Sequence, residues 1–364
     1  MSNKFKYYFF LGNTPDLSLL ELRTLYPGKF DLVTKEVVSY SENLDLTTLP
    51  RLGGTRKVTT GLAVVSLADL TSKLVELISL DTAKNIAITD FANLDIERSV
   101  FHTIKSQVER SIRFVSLETT EHELLMLSHQ HVAEFNLIPS GKKIAIAKTV
   151  WIFDAADWVS RDRDKPYRDI KRGMLPPKVA RIMVNLATRG HSGVTLADPF
   201  CGTGTILAEA MMVGQNVIGS DTNPVAIEGS KSNLAWLASS PHLRSTTYDL
   251  RIADATHFCE PVDCIATEPY MGPLLDERNP SSLEKIKNIA KGLDKLYRGC
   301  LKSWHTTRVV ISIPSFQVYN RIIETISIDT ISSLGYNIIA SVPYSKPGST
   351  VIRNITILEK NVTR

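Results

Sequence analysis

The chain has 364 residues, 43% of them hydrophobic and 22% charged, with a formal net charge of +4 and a pI of about 8.7. Such a length supports two or three domains with cores of their own, and the mild basic excess permits a polyanionic partner without requiring one. The four cysteines, Cys201, Cys259, Cys264 and Cys300, form no CxxC pair, which argues against a structural zinc site or a disulfide framework.

The opening MSNKFKYYFFLG holds too short an apolar run for a signal peptide, and no segment reaches the length of a membrane span. The expected setting is therefore the cytoplasm, with no membrane partner. Tyr7–Leu11 reads as a strand, and Thr14-Pro15-Asp16 opens a helix to about Leu25. Residues 57–66 are β-branched and strand-like, 68–80 have apolar residues at helical spacing, 84–88 return to strand, and 96–113 form a second amphipathic helix. This is an α+β region. Near residue 150 the character changes. Residues 161–178, RDRDKPYRDIKRGMLPPK, are almost all charge and turn and mark a linker. A helix starts at Pro176-Pro177, where proline forfeits no backbone bond. Strands are expected at 194–197, 216–219, 249–252, 264–267, 309–313, 337–342 and 351–358, with helices after the first few. The last two are joined too tightly for a helix and should pair as an antiparallel hairpin. The pattern is that of a doubly wound α/β sheet of methyltransferase type.

The exit of the first of these strands reads Asp198-Pro199-Phe200-Cys201-Gly202-Thr203-Gly204-Thr205. Gly202 and Gly204 allow a tight turn and close approach of a ligand. The third glycine of a dinucleotide-binding turn is missing, since Ile206 and Leu207 follow. Asp198 would repel a pyrophosphate but suits a cationic or zwitterionic ligand, such as the amino acid end of S-adenosylmethionine. Asp221, ending the second strand, suits ribose hydroxyls, and Asp254, after the third, suits an adenine amine. Cys201 has no His or Asn constellation to make it a nucleophile, and packs in the loop.

The fourth strand ends in Thr267-Glu268-Pro269-Tyr270-Met271-Gly272. Amino-methyltransferases carry an Asp/Asn-Pro-Pro-Tyr sequence at this place. An exocyclic amine is a poor nucleophile because its lone pair is delocalised into the base. Acceptors that take its protons localise that pair, proline fixes the backbone carbonyls, and tyrosine stacks on an extruded base. Thr267 or Glu268 could be the acceptor. Glu268 is favoured, because a carboxylate accepts more strongly.

These stretches together resemble the THUMP-containing tRNA guanine-N2 methyltransferases that act on guanosine 10. The resemblance rests also on Phe10-Leu11-Gly12-Asn13, on Leu52-Gly53-Gly54-Thr55-Arg56-Lys57, on the linker from Arg161 to Lys178, and on 351–360 with Arg353. It implies a ferredoxin-like part over 1–50, a THUMP RNA-binding domain over 51–150, a linker over 151–175 and a Rossmann-like class I methyltransferase domain over 176–364. It further implies that Asp198, Pro199, Cys201, Gly202, Gly204, Asp221 and Asp254 bind S-adenosylmethionine, and that Pro269 and Tyr270 hold the target base. The first Asp-Pro of the family's catalytic motif is missing here. Arg161, Arg163, Lys165, Arg168, Lys171 and Arg172, against three aspartates, could contact RNA phosphates or stack on bases, and Arg161, Arg163, Arg168, Lys171 and Arg172 are taken as the RNA-binding set. His122, His129 and His131 lack metal-ligand spacing, so no metal is expected. The expected activity is N2-methylation of a guanosine in tRNA, by a monomer or with a small helper subunit. The alternatives are a DNA amino-methyltransferase and a non-catalytic RNA-binding relative.

Overall fold

The structure, a computed structural model, describes residues 6–117, 127, 131–169, 174–239, 243, 246–275, 282–345 and 348–361. Its internal contacts divide the chain into two compact units: residues 1–19, 26–50 and 54–159, and residues 20–25, 51–53 and 160–364.

The elements up to residue 152 are β1 (Tyr7–Leu11), α1 (Pro15–Leu25), β2 (Phe30–Thr34), β3 (Val37–Tyr40), β4 (Thr55–Val65), α2 (Leu70–Leu80), β5 (Asn85–Asp90), α3 (Arg98–Gln107), β6 (Arg113–Phe114), β7 (Val132–Ser140) and β8 (Lys143–Ile152). The strands of the first unit form one sheet in the order β2-β3-β1-β4-β8-β7-β5-β6. The long β4 pairs with β1 along one edge and with β8 along the other, so the sheet runs unbroken across residue 50. Leu70, Leu74 and Ile78, at helical spacing on α2, close over Ile104, Phe135 and Ile146 to make its core. The helix expected over 96–113 ends at Gln107. Val108 and Ile112 keep the four-residue apolar spacing of Ile104 and are buried, but they lie in the bend and loop that lead into β6. Periodicity alone could not separate the two cases.

The second unit is built on α5 (Pro177–Thr188), β9 (Thr195–Asp198), α6 (Thr205–Met212), β10 (Asn216–Asp221), α7 (Pro224–Ala238), β11 (Tyr248–Ile252), β12 (Cys264–Thr267), α8 (Leu283–Ser303), β13 (Arg308–Val318), β14 (Arg321–Glu324), α9 (Ile328–Ser333), β15 (Tyr336–Tyr344) and β16 (Val351–Lys360); α4 (Ala155–Arg163) precedes them. The sheet order is β11-β10-β9-β12-β13-β16-β15, with β14 added on β13. The first five strands in that order run parallel; β16 pairs antiparallel with both β13 and β15, so β16 alone on this path is reversed and β15 runs with the first five. This is a Rossmann-like sheet closed by the expected hairpin. Lys346 and Pro347 of its turn lie outside the described residues. β12 is buried along its whole length, as a parallel strand covered on both faces must be. α8 supplies part of that cover through Ile286, Ala290, Leu293, Tyr297, Cys300 and Leu301. The strand order reverses between β9 and β12, and ligands of such sheets bind at the carboxyl ends of strands flanking the reversal.

Candidate active site

Asp198 is the last residue of β9 and is 1% exposed. Its Oδ1 accepts the Thr267 hydroxyl at 2.6 Å and the Phe200 amide at 3.1 Å, while Oδ2 accepts no bond among the described residues. Burial pushes its pKa up to about 7; the two hydrogen bonds oppose the rise, and the charges of Asp221 and Glu268 add to it. A carboxyl in this condition lacks a cation.

The glycine turn follows. Gly202 and Gly204 adopt φ of 52° and 81°. A Cβ on Gly204 would lie 2.8 Å from Ser230 Oγ, whereas one on Gly202 would meet nothing nearer than 4.0 Å. Gly204 is therefore required for helix packing, and Gly202 leaves open space above the backbone. The amides of Cys201, Gly202 and Gly204 are donated to Ser220 O, Asp221 Oδ2 and Cys201 O at 2.9, 3.1 and 2.7 Å. Those amides are spent within the protein and are not free to cradle a phosphate. The Pro199 carbonyl accepts the Ser220 hydroxyl at 3.3 Å. Cys201 is buried and its thiol pKa is pushed far up by that burial, which removes it as a nucleophile. Asp221 is anchored by the amides of Gly202 and Asn223, and Asp254 by the amide and hydroxyl of Thr256, both at 2.8 Å, which hold its carboxyl below the usual range. The three acids thus close successive parallel strands, Asp198 and Asp221 at strand ends and Asp254 two residues beyond β11.

At the exit of β12 the two candidate acceptors part. Thr267 is 0% exposed and its hydroxyl is donated to Asp198. Glu268 stands at the strand exit, where its Oε1 accepts Arg353 Nε at 2.6 Å and its Oε2 accepts no bond among the described residues. Burial raises the Glu268 pKa and the Arg353 guanidinium counters it. Pro269 is buried; Tyr270 is 56% exposed, with its carbonyl accepting the Tyr297 hydroxyl at 2.8 Å. Gly272 follows with φ of 96°, and a Cβ there would press to 3.0 Å on Ile289 Cγ2 of α8. The result is a rigid corner that presents one carboxylate oxygen and one exposed aromatic ring.

The basic segment is less exposed than its charge suggests. α4 runs through Arg163, so the stretch read as linker begins in a helix. Arg161 requires a correction: it is 6% exposed, and its Nε bonds Glu209 Oε1 at 2.8 Å, so its guanidinium is turned inward and has no face for a phosphate. Glu209 also binds Arg181 at 2.6 Å. Lys165 is likewise buried, with Nζ 3.3 Å from the Thr205 hydroxyl. Tyr167 is clamped by Asn233, which bonds both its amide and its carbonyl, and its ring lies where a Cβ on Gly229 would come within 2.2 Å. Residues 161–167 therefore strap α6 and α7 in place. Arg163 and Arg168 are exposed, and Lys171 and Arg172 lie outside the described residues. Arg353 and Tyr297 escaped the sequence reading as site residues. Arg353 is 85 positions from its partner, and only the pairing of β16 with β13 brings it to the rim.

Among the described residues, no group of three or more His, Cys, Asp or Glu is placed to hold a metal ion, and no helix is long and apolar enough to cross a membrane. His131 is described; His122 and His129 are not.

Residues 165–306 match the family described as UPF0020, RMKL-like, methyltransferase domain. The chain is 36% identical over 136 residues to a tRNA (guanine(10)-N2)-dimethyltransferase of Methanothermobacter thermautotrophicus, a match covering 37% of this chain and 35% of that protein. It is 35% identical over 116 residues to a "Probable tRNA (guanine(10)-N2)-dimethyltransferase" of Methanothermococcus thermolithotrophicus, covering 30% of this chain and 69% of that one. The chain thus spans about a third of the length of the first of these relatives. Among solved structures, TrmN from Thermus thermophilus superposes with a TM-score of 0.54 at 18% identity, over 98% of this chain and 99% of that one, a likeness of fold.

Proposed function

We propose, from the premise that the chain belongs to the family of the tRNA (guanine(10)-N2)-dimethyltransferases, that it methylates the exocyclic N2 amine of a guanosine in tRNA, with guanosine 10 the expected position. The methyl donor is S-adenosylmethionine, and residues 51–150 form the THUMP-type RNA-binding part.

The observation that carries the proposal is a pair of carboxylate oxygens without a protein partner among the described residues, Asp198 Oδ2 and Glu268 Oε2, at the exits of the two strands that flank the sheet's reversal. The residues present fit the donor. Asp198 is a buried acid without a cation and would take its ammonium; Asp221 and Asp254 would take ribose hydroxyls and the adenine amine; Gly202 leaves the room. When bound, that group supplies an electrophilic methyl on a sulfonium. The chain's own residues do the rest. Tyr270, half out of the surface, stacks on the target base. Glu268 Oε2 accepts a proton of the N2 amine and so concentrates the nitrogen lone pair for attack, while Arg353 opposes the rise in pKa that burial causes. Pro269 and the Tyr297–Tyr270 bond hold the corner still, which lowers the entropic barrier to in-line displacement. The Thr267 hydroxyl serves Asp198 and is not the acceptor.

The test is transfer of labelled methyl from S-adenosylmethionine to unmodified tRNA, to DNA and to no substrate, followed by mass spectrometry of the nucleosides. N2-methylguanosine or its dimethyl form in tRNA is the expected product. Label in DNA alone, or cofactor binding without transfer, would reject the proposal.

A further inference from the structure

α8 carries charge out of proportion to the chain. Its sequence, LEKIKNIAKGLDKLYRGCLKS, sets Lys285, Lys287, Lys291, Lys295, Arg298 and Lys302 against Glu284 and Asp294. That excess of four positive charges equals the net charge of all 364 residues. All six basic side chains are exposed. At 3.6 residues per turn, Lys287, Lys291, Lys295, Arg298 and Lys302 fall within a sector of roughly 80°, clear of the buried stripe, and the row from Lys287 to Lys302 is about 22 Å long.

Arg298 is committed, to Asp294 at 2.8 Å and to the Thr330 hydroxyl at 3.0 Å. The five lysines are not: among the described residues none makes an ion pair. By contrast, Lys73 on α2 is paired with Glu76 and Lys231 on α7 with Glu228, each at 2.6 Å. A line of uncompensated ammonium groups repels itself and gains most from a polyanion. The helix is also fastened to the catalytic corner, through the Tyr297 hydroxyl on the Tyr270 carbonyl and through Ile289 beneath Gly272. Lys287 and Lys291 flank Ile289 in sequence. No large apolar residue is exposed along this helix, whose apolar side is already in the core, so it has no wedge to offer a membrane.

We infer that the basic face of α8 docks the phosphate backbone of the RNA whose base enters the Glu268–Tyr270 corner. This rests on the proposed function and adds where the catalytic unit itself holds its substrate. Phosphate contacts position without reading sequence, so the face fixes the register of the RNA, and the corner selects the base.

Two double charge reversals test it in the full chain: Lys287→Glu with Lys291→Glu, and Lys295→Glu with Lys302→Glu. Each should weaken binding of unmodified tRNA by ~10-fold or more near 0.1 M salt and lower the salt slope by about 1.4–1.8. Affinity for S-adenosylmethionine should hold, and the loss in methyl transfer should lie in KM for tRNA. Lys231→Glu on α7 should bind tRNA as the parent does. Parent-like tRNA affinity and slope in both double variants, while the parent methylates tRNA, would overturn this inference and leave the proposed function standing. So would an equal loss in Lys231→Glu, or reversals that abolish binding to phosphatidylserine vesicles without touching tRNA. A parent chain that neither binds nor methylates tRNA would overturn both.

Discussion

Glu134 in the first unit and Asp198 in the second are both shut away from solvent, at 2% and 1% exposure, but their surroundings differ in kind. Glu134 receives the Lys57 ammonium at 2.6 Å, the Thr89 hydroxyl at 2.6 Å and the Thr149 hydroxyl. Lys57 in turn bonds Asn136 and sits 4.6 and 4.9 Å from the ring centres of Phe10 and Phe91. Burial alone would raise the Glu134 pKa, and these partners outweigh it and hold the carboxyl low. Asp198 has two hydrogen bonds, no cation and two like charges nearby, and its pKa rises to about 7. A buried acid whose needs are met inside the protein is part of the fold. A buried acid whose needs are not met has a place for something else.

That contrast can be broken most forcibly at the first site. Glu134→Gln leaves the Lys57 ammonium buried without its counter-charge and should cost about 3–5 kcal/mol in chemical denaturation. Next in size is the corner. Glu268→Gln should cut turnover by roughly 10²-fold or more while cofactor affinity holds. A fully active Glu268→Gln beside an inactive Thr267→Val would reverse the assignment of the acceptor. Asp198→Asn should do the opposite of Glu134→Gln. It keeps the oxygen that Thr267 and Phe200 need, so the free protein should be at least as stable at pH 8, while cofactor binding weakens by about 1.5–3 kcal/mol.

The smallest effects are in pH dependence, and the two acids pull in opposite directions. Asp198, raised from 3.8 to about 7, favours the folded free protein at low pH and withdraws that support as pH climbs from about 4 to 7. Glu134, held low, supports the fold above its unfolded pKa of about 4.5, and that support fades as pH falls through its folded value. Comparing the stability–pH curves of parent, Asp198→Asn and Glu134→Gln separates them. Arg353→Gln should move the acid limb of turnover to higher pH, because burial then raises Glu268 unopposed.

The glycine turn, the acids at the strand exits and the final hairpin were legible because each is written in a few adjacent residues: Gly202 and Gly204 after an apolar strand, Asp221 after another, and too short a span between the last two strands for a helix. What pairing at a distance decides was not legible. Arg161 reads as a free cation until Glu209, 48 residues on, folds beneath it. Thr267 and Glu268 are neighbours in the sequence, yet the pleat buries one against Asp198 and sends the other to Arg353. In the first unit, β2, β3 and the β7–β8 hairpin went unread, and no turn was recognised at Ser140-Gly141-Lys142 although Gly141 takes a φ of 62° there.

Calorimetric titration of S-adenosylmethionine at pH 6.5, in buffers of differing ionisation enthalpy, tests the account at its centre. If the cofactor's ammonium is what Asp198 lacks, binding ionises that carboxyl and releases a large fraction of a proton, and Asp198→Asn abolishes the release. A binding enthalpy independent of buffer in the parent chain would contradict it.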